Sequence, residues 1–179
     1  MVLASASPRR AALLRAAGFD FKVQPSGMME WPHAGGDPAE HAEALARAKV
    51  ARVPGEVVVG ADTIVVVDGT VLGKPSDSKA AAAMLRRLSG VTHRVITGVA
   101  VRRGEEVRSG HADALVTFRV LDDQEIREYA ASGEPLDKAG AYAYQGHAKT
   151  FVARLKGETD TVIGLPIQLL KRLLGPYSP

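Results

Sequence analysis

The run from Glu56 to Val67 is built almost wholly of Val, Ile, Gly and Ala, and the Asp68–Gly69 pair after it is a strong hairpin signal leading into Thr70 to Leu72. Its β-branched, apolar character marks a central, buried strand. One residue breaks the pattern, Asp62 in VVVGADTIVVV. A carboxylate in such surroundings costs on the order of several kcal/mol unless it is paired, hydrogen-bonded, metal-bound or protonated. An Asp at a strand end that bonds only to backbone is one reading. A site acid is the other, and the clustering of perturbed acids at functional sites favours it. Gly60 and Ala61 leave room for a ligand, and Thr63 adds a hydroxyl.

Strand and helix patterns alternate around this run. Val2 to Ala4 reads as a short buried strand, Ala11 to Ala17 as a helix, and Phe19 to Val23 as a second strand. Gly27 to Gly36 reads as a loop over a cleft. Asp37 and Pro38 open a helix, with Glu40 completing a capping box. On that helix Ala42, Leu45, Ala46, Lys49 and Val50 recur at helical spacing, which turns Lys49 inward. Ser78 to Leu88 reads as a helix ended by Ser89 and Gly90. Val91 to Arg103 and Arg108 to Val120 read as paired strands about Gly104. Asp122 and Glu125 cap a helix through Ala131 that stops at Gly133, Glu134 to His147 is polar and glycine-rich, Phe151 to Lys156 reads as a strand, and Pro166 to Leu174 as a closing amphipathic helix. The expectation is an α/β fold, a mixed twisted sheet with flanking helices, formed as one domain over residues 1–179 with two lobes around a central cleft.

At 179 residues with 46% hydrophobic composition, the chain can bury a proper core. A net charge of +3, with basic residues dispersed among 20 acids, and 5% aromatic content argue against nucleic acid as a partner. The absence of cysteine excludes disulfides, zinc–thiolate sites and thiol nucleophiles. The longest apolar stretches are broken by Gly60, Asp62 or Asp68, and no signal-peptide pattern opens the chain. No membrane partner and a cytoplasmic location are expected.

The hexapeptide Ser5 to Arg10, SASPRR, lies between the first strand and the first helix. Ser7 is a good N-cap, Pro8 fits the first helical position, and Gly18 can close the helix. The helix N-terminus, Ser5, Ser7, Arg9 and Arg10 would together suit a phosphate. An ordinary capped helix with two solvated arginines fits the hexapeptide equally well. Lys49, and Lys74 in the turn GKP, would bring the cations to four and suit a polyphosphate, although Lys74 alone reads as a surface lysine. GTVLGK at Gly69 to Lys74 is not a P-loop, since three residues separate its glycines and Pro75 follows the lysine. There is no GxGxxG or GxSxG. The histidines at 33, 41, 93, 111 and 147 lack metal-ligand spacing and read as solvated or structural. Glu30 alone reads as a solvated acid; folded over Asp62, it would complete a carboxylate cradle for magnesium.

SASPRR, Glu30, Lys49, GADTIV at Asp62, GKP at Lys74, LSG at Leu88 to Gly90 with His93 and Thr97, GEPLDKAGAY at Gly133 to Tyr142, Gln145 with Gly146, and GLP at Gly164 occur together in one order. Jointly they resemble the Maf family. The resemblance implies a nucleoside triphosphate pyrophosphatase with a fold similar to inosine triphosphate pyrophosphatases, a divalent cation (magnesium or manganese) and often a homodimer. Ala61 to Thr63, Asp137 to Gly140 and Gln145 are similar to the branch acting on dTTP and UTP. By this resemblance Asp62 is the proton acceptor, Glu30 and Asp62 hold metal, and Ser5, Ser7, Arg9, Arg10, Lys49 and Lys74 bind phosphate. Arg10, Thr63 and Gln145 then help choose the base. Met29 departs from the pattern where an acid usually stands, Tyr144 replaces an aliphatic residue, and IQLLKRLL leans toward the branch acting on 7-methyl-GTP. That activity, or a nucleotide-binding regulator of cell division with little turnover, is the alternative.

Overall fold

A computed structural model describes residues 1–175. Strands β1 (Val2–Leu3), β2 (Lys22–Val23), β3 (Val57–Val67), β4 (Thr70–Leu72), β5 (Thr92–Arg103), β6 (Glu106–Phe118) and β7 (Val152–Lys156) form one mixed sheet. Their order is β2-β1-β3-β5-β6-β7, with β4 paired to β3. β1 is parallel to β2 and β3, whereas β4 and β7 run antiparallel to their partners. The helices are α1 (Pro8–Ala16), α2 (Pro38–Ala51), α3 (Ser78–Leu88), α4 (Asp123–Ala131), α5 (Thr159–Ile163) and α6 (Ile167–Leu174). The mixed α/β fold expected from the pattern is therefore the one found.

The chain divides into two compact units. The first holds Met1–Thr63, Ile96–Ala112 and the segment from Asp160; the second holds Ile64–Val95 and Asp113–Thr159. In the first unit the period-two alternation of strands sorts β3 between two faces. Val59 and Ala61 join Leu3, Leu14, Val99, Leu165 and Leu170 in one cluster, which gathers α1 and α6. Val58 joins Ala46, Val50 and Ala100 in another, which gathers α2. Asp62 continues the α2 side and Thr63 the α1 side.

Helix α2 lies very close to the strands. A methyl group on Gly98 of β5 would sit 2.4 Å from the backbone carbon of Ala42, and one on Gly60 of β3 would sit 2.9 Å from the Ala46 carbonyl oxygen. Both positions therefore need the absence of a side chain.

In the second unit the β3–β4 hairpin turns through Asp68 and Gly69, at φ 48° and 69°, the double left-handed turn that Asp-Gly favours. Helices α3 and α4 pack there with an aromatic core in which Phe118 lies 4.8 Å from Tyr142 and 5.9 Å from Phe151 between ring centres. The segment read as polar and glycine-rich is three short 3-10 turns, Glu134–Asp137, Ala139–Ala141 and His147–Phe151. Gly140, at φ 67°, donates its N–H to the Gly73 carbonyl at 3.1 Å, so a contact distant in sequence shapes this stretch.

Candidate active site

α1 begins as its sequence requires. Ser7 is the N-cap and accepts the Arg10 N–H at 3.4 Å, while Ser5 Oγ accepts the Ser7 N–H at 3.2 Å. This first turn places the Arg10 side chain beside the middle of β3. Its Nε donates to the Gly164 carbonyl at 2.7 Å, Nη1 to Ser5 Oγ at 3.2 Å and Nη2 to Thr63 Oγ1 at 3.1 Å. Gly164 permits this approach, since a methyl there would meet Thr63 Oγ1 at 3.0 Å and Arg10 Nε at 3.3 Å. Arg9 is half-buried and close enough to oppose the charge of Arg10.

On the other face of β3, the inward lysine expected from α2 is found. Asp37 caps that helix through the Ala39 N–H at 3.0 Å rather than through Glu40, the short Asx side chain reaching the second helical amide. Ala42, Leu45, Ala46, Lys49 and Val50 are all buried. Lys49 Nζ donates to Asp62 Oδ1 at 2.5 Å, to Glu30 Oε1 at 2.8 Å and to the Ala61 carbonyl at 3.4 Å. One ammonium thus gathers the strand acid and the loop acid.

Asp62 and Lys49 are each only 5% exposed. Burial pushes the Asp62 carboxyl above its usual range, against the pull of Lys49 and Arg10, and the Glu30 charge adds to the rise. A raised carboxylate pKa suits a group that must take a proton near neutral pH. His41, read from the sequence as solvated or structural, lies close enough to Asp62 to feel its charge. Burial, then the neighbouring His33, hold His41 below its usual value. The spacing 41, 45, 49 on α2 was the available signal, since those positions share a helix face. No sequence motif marks Thr161 or α5.

Several elements of one compact unit thus gather cations and carboxylates about a buried Lys49–Asp62 pair, in the chain order of the quoted motifs. The Maf-like protein family profile matches residues 1–176. The chain belongs to that family. It is 47% identical to the dTTP/UTP pyrophosphatase of Pelotomaculum thermopropionicum, over 99% of this chain and 96% of that one. The corresponding enzyme of Moorella thermoacetica is 48% identical over 99% and 95% of the two chains. That of Bacillus pumilus is 45% identical over 99% and 96%. Of the Maf motif residues, Ser5, Ser7, Arg9, Arg10, Glu30, Lys49, Asp62 and Thr63 belong to the first unit. Lys74, in the turn after β4, and Gln145 are exposed residues of the second. Among the described residues no helix is long and apolar enough to cross a membrane.

Proposed function

We propose that the chain hydrolyses dTTP and UTP to the nucleoside monophosphate and pyrophosphate. The observation that carries this reading is Asp62, a nearly sealed carboxylate with a raised pKa that touches Lys49 and feels Arg10 and Glu30. Asp62 takes the proton of a water. The water oxygen then attacks the α-phosphorus, the bond from that phosphorus to the bridging oxygen breaks, and the electron pair leaves with pyrophosphate. Lys49, Arg9 and Arg10 offset the charge that grows on the leaving group. Ser5, Ser7 and the start of α1 hold phosphate oxygens, as does Lys74, while Arg10, Thr63 and Gln145 choose the base.

A divalent cation fits this donor set. Glu30 and Asp62 already converge through one oxygen each on a single positive centre, the Lys49 ammonium. Among the described residues no group of three His, Asp or Glu forms a closed metal cage. Two carboxylates plus phosphate oxygens and waters is the coordination that magnesium favours. Magnesium or manganese held by Glu30 and Asp62 would neutralise phosphate charge and lower the cost of attack. The same reading makes the protein a cytoplasmic homodimer with one catalytic domain and a small-molecule substrate, and gives it neither nucleic acid nor membrane as partner.

Asp62→Asn tests it. Pyrophosphate release from UTP should fall roughly 10²–10⁴-fold while UTP binding persists. Near wild-type release from that variant would remove Asp62 as the base.

A further inference from the structure

The hydroxyl groups on the α1 side of β3 form a chain with one consistent direction. Thr97 Oγ1 lies 2.7 Å from the Thr161 carbonyl oxygen, which can only accept. The single hydroxyl proton of Thr97 is therefore committed to Thr161. Thr63 Oγ1 lies 2.9 Å from Thr97 Oγ1. With the Thr97 proton already used, Thr63 must be the donor of that pair. Arg10 Nη2 lies 3.1 Å from Thr63 Oγ1, and a guanidinium only donates. Thr63 has thus spent its proton on Thr97 and one lone pair on Arg10. Thr97 is 0% and Thr161 1% exposed, so water cannot offer either a different partner. Thr63 itself is only half-buried, so its remaining lone pair is not sealed from a ligand.

We propose that Thr97 is a positioning residue for base selection: by taking the proton of Thr63, it leaves Thr63 Oγ1 able only to accept a hydrogen bond from the base. This rests on the reading above in which Thr63 faces the base. An acceptor-only hydroxyl welcomes a ring nitrogen that carries hydrogen, as in uracil, thymine and guanine. Cytosine and adenine present a lone pair at the corresponding nitrogen, and two lone pairs facing each other leave a partly buried polar group unpaired. Sites built to hydrogen-bond one partner discriminate strongly against an analogue that cannot supply it. Thr97 is a member of the family motif with no assigned role in the hydrolysis, and this gives it one.

The test compares UTP with CTP in two assays, calorimetric binding with divalent ions chelated, and kcat/KM for pyrophosphate release with magnesium. Thr97→Val keeps the shape and frees the Thr63 proton, so the preference for UTP over CTP should fall about tenfold in both assays. Thr97→Ser restores the acceptor and should restore the preference. Thr97→Ala gives a second route to the freed proton should the valine variant fold poorly, with the same loss expected. Equal weakening of both nucleotides, or an unchanged ratio, overturns the proposal, as does a wild-type chain with no preference for UTP. Should the wild type bind both nucleotides but release pyrophosphate from neither, the hydrolytic reading fails while the binding ratio still decides the role of Thr97.

Discussion

Each of the two units buries a hydrogen-bonded polar pair, and the pairs are handled in opposite ways. In the first unit, Lys49 and Asp62 are nearly sealed yet meet as ammonium and carboxylate at 2.5 Å. In the second, His93 Nε2 meets the Tyr142 hydroxyl at 2.8 Å, inside the ring cluster of Phe118 and Tyr142. Burial pushes His93 down to about 4 and Tyr142 upward, so that pair is neutral at pH 7. Sharing a hydrogen bond as neutral groups costs the fold less than burying charge, since a buried ion pair often costs more in desolvation than it returns. A chain that needed only stability would have made both pairs neutral. The charged one lies where the proposed chemistry would be done.

The contrast can be broken most forcefully at Lys49. Lys49→Met leaves Asp62 and Glu30 without their shared cation, and stability at pH 7 should fall by roughly 3–5 kcal/mol. Removing the Lys49 charge raises the already elevated Asp62 carboxyl further, so the variant's folded state holds that proton more tightly than the wild type's and the loss should shrink as pH is lowered. Urea titrations at pH 5 and pH 7 would show it; a pH-independent loss would mean the pair is not charged.

His93 carries the opposite sign for a different reason. Its folded value, about 4, lies below the ordinary 6.5, so its contribution is fully present above pH 6.5 and is lost as pH falls through 4. The span corresponds to about 3 kcal/mol. His93→Gln should flatten that part of the stability profile, read by thermal melts across pH 4 to 7, and a profile that keeps its slope would place the titration elsewhere.

The smallest effects separate the helix starts of the two units. Asp122 accepts the Glu125 N–H at 2.8 Å, against 3.4 Å for the Ser7 cap of α1. Asp122→Ala should cost about 1 kcal/mol and Ser7→Ala less. Equal losses in denaturant midpoint would show that cap distance does not set cap strength here.

Much of this was legible in the sequence where a local rule decides the outcome. The Asp68–Gly69 hairpin, the Ser7 and Asp122 caps and the inward Lys49 follow from turn chemistry, side-chain reach and helical period. What stayed hidden depends on contacts remote along the chain. Arg10 meets the Gly164 carbonyl across 154 residues, and Thr97 meets Thr161 across 64. The 3-10 turns between Glu134 and Phe151 likewise have no periodic signature, because Gly140 takes its geometry from Gly73.

The seating of α2 has a consequence for how this protein tolerates change. Gly60 and Gly98 carry no reactive group, yet the depth at which α2 rests on the strands is set by the side chains they lack. The Lys49 ammonium inherits that depth. An added methyl at either position would lift the helix, and with it the charge, away from Asp62 by a distance comparable to a hydrogen bond's tolerance. The position of that charge is thus calibrated by two omissions, and the residues that govern it most tightly include two with no side chain at all.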